Sequence, residues 1–220
     1  MYREAFSNEK SLDVAYVIAS KGGVASFSDI EAQSRVKGST LKYHLDRLIQ
    51  QGVLKTLSRG TYGLKYKTPI CYLFETNTPI AYMGLLGRRN NRTEPETEIA
   101  VKLLEQEKHK VGLKYVVTSP ESLIEWKELK LDCQWILCYG DEIIEIDAVK
   151  AKVVPQLQAL LKEYVVVLDC TSATKPASIA FYEMAQEYLV PLIYVYEKTQ
   201  SLKWLISKET IKSRLNISKY

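Results

Sequence analysis

Residues that build metal sites and disulfide frameworks are scarce in this sequence. Only two histidines and four cysteines occur among 220 residues, and the cysteines show no C-x-x-C spacing. We therefore predict no metal site and no cofactor. Cys133 and Cys138 could pair, but free thiols are the expectation in a reducing compartment.

Long hydrophobic runs are also missing. The longest, such as VVVL at 165–168, are far shorter than the ~20 residues that a membrane span needs. The first residues, MYREAFSNEK, lack the apolar core of a signal peptide. With 46% hydrophobic and 25% charged residues, the chain has the composition of an ordinary globular protein. We therefore predict a cytoplasmic protein with no membrane partner.

The excess of positive over negative charge lies in the N-terminal third. Residues 1–67 contain 11 Lys and Arg against 6 Asp and Glu, whereas the rest of the chain contains 19 against 20. A basic excess in one part of a chain indicates a polyanionic partner for that part. A solvated basic face would give the same composition, so charge alone leaves both interpretations open.

The N-terminal third has the pattern of three helices and a hairpin. A helix is predicted over 8–21, and a second is opened by Ser26 or Ser28. In the third, STLKYHLDRLIQQG, the apolar positions Leu41, Leu45, Leu48 and Ile49 recur at helical spacing, and Gly52 ends the helix. Two strand-like runs then surround residues 58–60, as in a hairpin.

The segment STLKYHLDRLIQQGVLKTLSRGTYGL resembles a winged helix-turn-helix domain, and the resemblance covers about residues 8–67. It implies a DNA-binding domain at 1–67 whose third helix enters the major groove of double-stranded DNA. The candidate DNA contacts are Lys37, Ser39, Thr40, Lys42, Tyr43, His44, Arg47 and, at the hairpin tip, Arg59. Winged-helix domains also serve as protein-docking modules, so the fold does not settle the partner.

Beyond a connector at 68–79, which includes the apolar ICYLF, strands and helices are predicted to alternate over 80–220. The predicted strands are, in order, IAYMGLL, KYVVTS, QWILCY, a short GDEIIEI, YVVVLDCT, PLIYVYE and an edge strand LKWLIS. Between them, helices are predicted over 94–108, capped by Thr93 and Glu96, and from Glu121 to about Leu129. A further helix reaches about Glu163 and contains Pro155 or begins at it, and the last covers 176–189. Such alternation predicts an α/β fold with a mainly parallel, Rossmann-like sheet and helices on both faces.

Two predicted strand ends carry polar and charged groups. One is LLGRRNNR, and the other is DCTSATK at 169–175. Pro176 biases Lys175 away from helical dihedrals, which places the helix start at about Pro176. Hydroxyls, free amides and a lysine at a strand-to-helix turn predict an anion site. The alternative is a simple Thr or Ser cap with Lys175 in solvent.

The segments YMGLLGRRN and VVVLDCTSATKPASIAFYEMA…LIYVY resemble the CRISPR-associated Rossmann-fold (CARF) domain over about residues 80–207. The family has a ligand loop after its first strand and a later D-x-T-G-G-T-K-like turn, in which Ser172 and Ala173 stand here in place of the glycines. The resemblance implies that cyclic oligoadenylate binds at the interface of a homodimer formed by the C-terminal domain. The implied ligand-binding residues are Gly84, Gly87, Arg88, Arg89, Asn90, Asp169, Thr171, Ser172, Thr174 and Lys175.

Three functions are compatible with this pattern. In the first, a cyclic-oligoadenylate sensor regulates transcription in a CRISPR-type antiviral defence system, with ligand affinity coupled to DNA affinity. In the second, the domain is a ring nuclease that cleaves the ligand without metal, with Lys175, Arg88 and Arg89 stabilising developing charge. In the third, the domain only dimerises a winged-helix regulator that has an unrelated effector.

Overall fold

A computed structural model describes residue 2, residues 5–128 and residues 130–217. The chain forms two compact units. The first comprises residues 1–78, 161–165 and 208–220, and the second comprises residues 79–160 and 166–207. Among the described helices, none is both long and apolar enough to cross a bilayer. All four cysteines are free thiols, as the sequence predicts.

The first unit is built of helices around a small antiparallel sheet. Its elements are α1 (Glu9–Ser20), β1 (Val24–Ser26), α2 (Phe27–Gln33), α3 (Gly38–Gln50), β2 (Leu54–Ser58), β3 (Thr61–Leu64), α4 (Ile70–Leu73) and α9 (Lys208–Arg214). The sheet order is β1-β3-β2, and both strand pairs are antiparallel. The apolar segment ICYL of the predicted connector is the helix α4.

Local sequence explains where these helices begin and end. Ser26 opens α2 with a capping box, in which its hydroxyl accepts from the amide of Asp29 and the Asp29 carboxylate accepts from the amide of Ser26. Gly52 has φ of +70° just after α3, a conformation that glycine adopts without steric cost. Leu41, Leu45 and Leu48 are fully buried, so the predicted apolar face of α3 is confirmed.

The structure contradicts the prediction that His44 lies on the outer face of α3. Only 3% of His44 is exposed, and its Nδ1 lies 2.9 Å from the hydroxyl of Ser11 on α1. Burial lowers the pKa of His44 below its usual value of 6.5, because a charged imidazolium is poorly solvated inside the unit. His44 therefore packs in the core of the first unit and does not contact solvent.

The second unit contains a six-stranded sheet flanked by helices, which is an α/β, Rossmann-like fold. The elements that lie wholly or mostly in it are β4 (Ile80–Leu85), α5 (Glu96–Gln106), β5 (Val111–Thr118), α6 (Pro120–Glu125), β6 (Gln134–Leu137), α7 (Ile146–Glu163), β7 (Val165–Asp169), α8 (Lys175–Tyr188), β8 (Leu192–Tyr196) and β9 (Ser201–Ile206). The order is β6-β5-β4-β7-β8-β9. The β4/β5, β5/β6 and β7/β8 pairs are parallel, and the predicted edge strand β9 is antiparallel to β8.

Several predicted boundaries in this unit are wrong. Residues Gly140–Ile144 form a 3-10 helix instead of a strand, because Gly140 turns the chain with φ of +54°. Helix α5 begins at Glu96 after Pro95, and no side chain caps it, so Thr93 is not its N-cap. By contrast, Pro155 lies inside α7, which is one of the two alternatives that the sequence left open.

The two helices beside the candidate site also differ from their predicted limits. Helix α6 ends at Glu125, and Leu129, the predicted end, is outside the described residues. Helix α8 begins one residue early, at Lys175, with Thr174 as its N-cap. The sequence cue of Pro176 is nonetheless consistent with this start, since proline is favoured in the first turn of a helix.

Candidate functional site

The candidate site is a cavity of about 510 Å³ beyond the carboxyl ends of β4, β5, β6 and β7. Strand β4 lies between β5 and β7, so the strand order reverses beside β4, which is where open α/β sheets bind ligands. The lining residues are Leu86, Gly87, Arg88, Asn90, Ser119, Glu121, Ser122, Gly140, Asp141, Ile143, Ile144, Ala173 and Thr174.

The turn that follows β7 is held by the buried carboxylate of Asp169. Its Oδ1 accepts hydrogen bonds from the amide of Thr171 at 2.9 Å and from the Thr171 hydroxyl. Its Oδ2 accepts from the Tyr82 hydroxyl of β4 at 2.6 Å. The Thr171 hydroxyl in turn accepts from the amide of Val195 on β8 at 2.8 Å. One carboxylate therefore connects β4, β7, β8 and the turn.

Burial raises the pKa of Asp169 from 3.8 to about 6, although the hydrogen bonds from Thr171 and Tyr82 act in the opposite direction. Burial also raises the pKa of Tyr82, and the charge of Asp169 raises it further. Tyr82 therefore stays protonated and donates to Asp169 at neutral pH.

Gly84 makes room for this bond. A Cβ atom at Gly84 would lie 2.1 Å from the Tyr82 hydroxyl, so a side chain there would displace the Tyr82 ring from its bond to Asp169. Gly84 is one of the predicted ligand residues, but it does not line the cavity. The structure gives it a supporting position beneath the Tyr82–Asp169 pair.

Gly87 brings the loop after β4 against the turn after β7. Its amide donates to the Ser172 hydroxyl at 2.8 Å, and its carbonyl accepts from the Trp126 indole at 2.9 Å. A Cβ atom at Gly87 would lie 2.9 Å from the amide nitrogen of Ala173, so a side chain there would push the two loops apart. Ala173 has φ of +68°, a left-handed conformation that glycine adopts without steric cost and that alanine adopts rarely.

The turn ends in a group of unpaired backbone amides at the start of α8. Within the described residues, the amides of Ser172, Ala173, Thr174 and Lys175 have no hydrogen-bond acceptor. The Thr174 hydroxyl caps the helix by accepting from the amide of Ala177 at 3.2 Å, and it donates to the carbonyl of Ile143. Free amides at a helix start carry partial positive charge, so this turn can bind an anion.

Arg88 and Arg89, which follow β4, have different surroundings. Arg88 lines the cavity and is mostly exposed, with its Nε 4.0 Å from Glu125. Arg89 stacks over the Trp126 ring, its Nε donates to the carbonyl of Arg92, and its guanidinium pairs with Glu128. These contacts direct Arg89 away from the cavity.

The cavity is less cationic than the sequence predicts. Arg88 is accompanied by the carboxylates of Glu121 and Asp141, and the exposed Lys175 is not part of the lining. The pKa of Glu121 is lowered, mainly by a hydrogen bond from its own amide, which keeps that carboxylate charged. An anion in this cavity would therefore depend on the α8 amides more than on side-chain charge.

Of the ten predicted ligand residues, Gly87, Arg88, Asn90 and Thr174 line the large cavity. Thr171 lines a smaller one, and Gly84, Arg89, Asp169, Ser172 and Lys175 line neither. The lining also includes residues that were not among the predicted ligand residues: Leu86, Ser119, Glu121, Ser122, Gly140, Asp141, Ile143 and Ile144. Those after β5 and β6 could have been predicted from their positions, because loops after neighbouring parallel strands meet at the same edge of a sheet.

A smaller cavity, of about 230 Å³, also borders the turn after β7. Its lining residues are Arg92, Glu96, Thr171, Tyr194, Val195, Tyr196, Glu197 and Lys198. Thr171 lines this cavity, whereas Ala173 and Thr174 line the larger one, so different residues of the turn border the two cavities.

In the first unit, the predicted DNA contacts apart from His44 lie at the surface. Lys37, Ser39, Thr40, Lys42, Tyr43 and Arg59 are exposed, and Arg47 is partly buried. The Arg47 guanidinium donates to the Ser7 hydroxyl at 3.2 Å, and Lys42 pairs with Asp46 at 3.7 Å. The Lys37 ammonium donates to the carbonyl of Glu31.

The sequence matches no family model and no curated protein. Among solved structures, the chain is similar to Can2 from Sulfobacillus thermosulfidooxidans in complex with cyclic tetra-adenylate, with 12% identity over 58% of this chain and 35% of that chain, and a TM-score of 0.42. It is also similar to protein VC1899 from Vibrio cholerae, with 11% identity over 59% and 34% of the two chains and a TM-score of 0.45. Enterococcus italicus Csm6 bound to cyclic hexa-2'-fluoro-hexa-dAMP has 12% identity over 64% and 37%, with a TM-score of 0.40. The chain thus spans little more than a third of the length of each of these proteins.

The buried position of Asp169 predicts a pH-dependent stability. Because its pKa rises from 3.8 to about 6 on folding, the folded state binds an extra proton between these values, and stability is lost as pH rises through them. The Asp169 contribution to the unfolding free energy should fall by on the order of 3 kcal/mol from pH 4 to pH 7. Urea unfolding at several pH values should show this fall in the wild type and not in Asp169→Asn. Asp141→Asn is the control and should keep the wild-type profile; equal profiles for the wild type and Asp169→Asn would contradict the prediction.

Proposed function

We propose that the chain is a dimeric sensor of cyclic oligoadenylate that regulates transcription through DNA binding by its first unit. The observation that carries the proposal is the cavity of about 510 Å³ at the strand-order reversal, bordered by the unpaired amides at the start of α8. Two segments resemble the CARF family, one after β4 and one after β7. They meet beside this cavity, where the amide of Gly87 donates to the Ser172 hydroxyl. The proposal assigns the protein to a CRISPR-type antiviral defence system.

The ligand's phosphates would be bound chiefly by backbone. Amides of Ser172 to Lys175 would donate to phosphate oxygens, and the partial positive charge of the α8 start would add to this attraction. Arg88, which is mostly exposed, supplies a cation in the lining of the cavity. Lys175, exposed beside these amides, would approach a phosphate from the solvent side of the cavity.

A second copy of the chain would complete the site. Ile144, Ile179 and Tyr182 are each more than 40% exposed, and they lie on the 3-10 helix 140–144 and on α8, which contact one another. Large apolar side chains on neighbouring surface elements favour a protein interface. This surface adjoins the large cavity through Ile144, so a dimer formed there would place two cavities near one another.

Binding without cleavage is the function that we favour for this site. Of the three residues that a ring nuclease would use, Arg88 lines the cavity, whereas Arg89 is engaged with Trp126 and Glu128, and Lys175 lies outside the lining. Transition-state stabilisation needs donors aimed at one developing charge, and these three cations are not gathered around one point.

Substitutions at the start of α8 should separate ligand binding from stability. Lys175→Ala should leave the thermal midpoint of the free protein unchanged or slightly raised, because a cation at a helix start is unfavourable. It should weaken cyclic tetra- or hexa-adenylate binding about ten- to a hundred-fold through loss of a charge-assisted contact. Thr174→Ala should destabilise the free protein by about 1 kcal/mol or more, since it removes the helix cap and the bond to Ile143.

Melting curves measure the change in stability, and calorimetric titrations with both ring sizes measure the change in ligand affinity. Chromatography of the ligand afterwards shows whether it was cleaved. Lys110→Ala is the matched control, because Lys110 is exposed just before β5, at the opposite edge of the sheet. If Lys175→Ala destabilises the free protein and leaves ligand affinity intact, the lysine has a structural role. Ligand converted to linear products would favour the ring nuclease.

If the dimer forms through this apolar surface, a charge introduced there should convert the dimer to a monomer. Ile179→Glu and Tyr182→Glu each place a charge in the interface, and burying an unpaired charge costs several kcal/mol. Light scattering at micromolar concentration should give a dimer for the wild type and a monomer for these variants. Leu205→Glu, at an exposed position of β9, should remain dimeric. A monomeric wild type would remove the dimer from the proposal.

The proposed DNA contacts predict salt-sensitive binding to double-stranded DNA, with half-sites about one helical turn, ~10 bp, or a multiple apart. Arg59→Ala and Arg47→Ala should each weaken binding and reduce the slope of log affinity against log salt by about one. Arg59 is the cleaner test because Arg47 also bonds to Ser7. Lys21→Ala, at the end of α1, is the control. Absence of duplex binding at low salt would instead favour a protein-docking role for the first unit.

A further inference from the structure

The three-stranded sheet of the first unit has two unlike faces. Ala25, Tyr62 and Leu64 are buried on its inner face. Because side chains alternate along a strand, Val24 and Gly63 lie on the outer face, where they are cross-strand partners on β1 and β3. Val24 is 46% exposed. The outer face therefore presents an aliphatic side chain at the surface of the unit.

Leu57 extends this apolar surface to the third strand. It lies at the irregularity in the pairing of β2 with β3, between Thr56 and Ser58. A Cβ atom at Gly63 would lie 3.0 Å from the Cδ1 atom of Leu57, so the leucine side chain lies over the glycine on the outer face. Like Val24, Leu57 is 46% exposed. The two aliphatic side chains thus come from the outer strands, and the central strand has no side chain between them.

Positive charge surrounds these two side chains. Residues 53–67 contain four basic residues and no acidic one, namely Lys55, Arg59, Lys65 and Lys67. Lys55 is the cross-strand partner of Gly63 on β2. The Cε atom of Lys67 would lie 3.4 Å from a Cβ atom at Gly23, so this lysine lies beside Val24. Within the part of the chain that the structure describes, none of the four cations forms an ion pair.

An apolar centre with a basic rim favours an acidic protein as the partner. Protein interfaces have an apolar core and a polar rim, and charges across them are complementary. The phosphate backbone of a nucleic acid would use the cations, but it offers no apolar group to Val24 and Leu57, and interfaces with DNA are the more polar class. Leu57 lies over Gly63 instead of projecting from the sheet, so it is placed to pack against a partner and not to insert into a bilayer.

We propose that this outer face, defined by Val24, Leu57, Gly63, Lys55 and Lys67, docks an acidic segment of another protein that carries large apolar side chains. Apolar side chains of the partner pack on Val24 and Leu57, and its carboxylates meet the lysines at the rim. The inference does not rest on the proposed cyclic ligand. It is also separate from the proposed DNA contacts, which apart from Arg59 lie at residues 37–47 and not on the sheet.

The experiment uses a phage-displayed library of random twelve-residue peptides, selected on the full chain. The selected sequences should combine Asp or Glu with large apolar residues, and synthetic copies should bind in a salt-sensitive manner by fluorescence anisotropy. Leu57→Ser should weaken their binding about tenfold and Val24→Thr about threefold, because each removes apolar contact area. Lys55→Glu should weaken it about tenfold by placing a like charge against the acidic peptide.

Matched controls separate this face from the rest of the unit. Leu57→Ser and Val24→Thr change no charge, so they should leave binding to double-stranded DNA unchanged. Both positions are exposed, and melting curves should show that both variants fold as the wild type does. Lys10→Glu makes the same charge change as Lys55→Glu at an exposed position of α1 and should leave peptide affinity unchanged. Hydrogen exchange should show peptide-induced protection at residues 54–64.

The possible results separate the partners. If the library gives no binder, or if the selected peptides bind Leu57→Ser and Val24→Thr as tightly as the wild type, the docking proposal is wrong. It is equally wrong if these two variants weaken binding to duplex DNA or to phosphatidylserine vesicles, because the face would then belong to a nucleic acid or a membrane. Each of these results leaves the cyclic-ligand proposal standing, since that site lies in the second unit.

Discussion

The carboxylate of Asp169 is the constraint on which the candidate site depends. It is completely buried, yet it accepts hydrogen bonds from Tyr82 on β4 and from Thr171 in the turn after β7. Burying a carboxylate is unfavourable unless its oxygens are bonded, and these bonds can be made only if the turn takes one conformation. The orientation of the free amides that begin α8 follows from that conformation.

The same constraint explains the small residues around the site. Gly84 leaves space for the Tyr82 ring, and Gly87 lets the loop after β4 touch the turn at Ser172 and Ala173. Both glycines look like ligand-contact glycines in the sequence, since a missing side chain permits close approach of any group. Here the groups that approach are protein atoms, and only Gly87 also borders the cavity.

The turn after β7 borders two polar cavities of different character. The larger borders the unpaired amides at the start of α8 and suits an anion, because free amides at a helix start carry partial positive charge. The smaller is lined by Glu96, Glu197, Arg92 and two tyrosines, so opposite charges meet within it.

Sequence alone determined the α/β class of fold, and it predicted the two strand ends that border the candidate cavity. The sequence shows the alternation of strands and helices, the apolar face of α3 and the polar and charged residues at the strand ends 87–92 and 169–175. These features can be read without coordinates, because burial periodicity and turn chemistry are local properties. Tertiary structure alone decided that His44 is buried against Ser11, that Arg89 stacks on Trp126 and that Ser119, Asp141 and Glu96 border the cavities. These outcomes depend on which residues distant in sequence meet in space, and neither helical periodicity nor a resemblance of motifs carries that information.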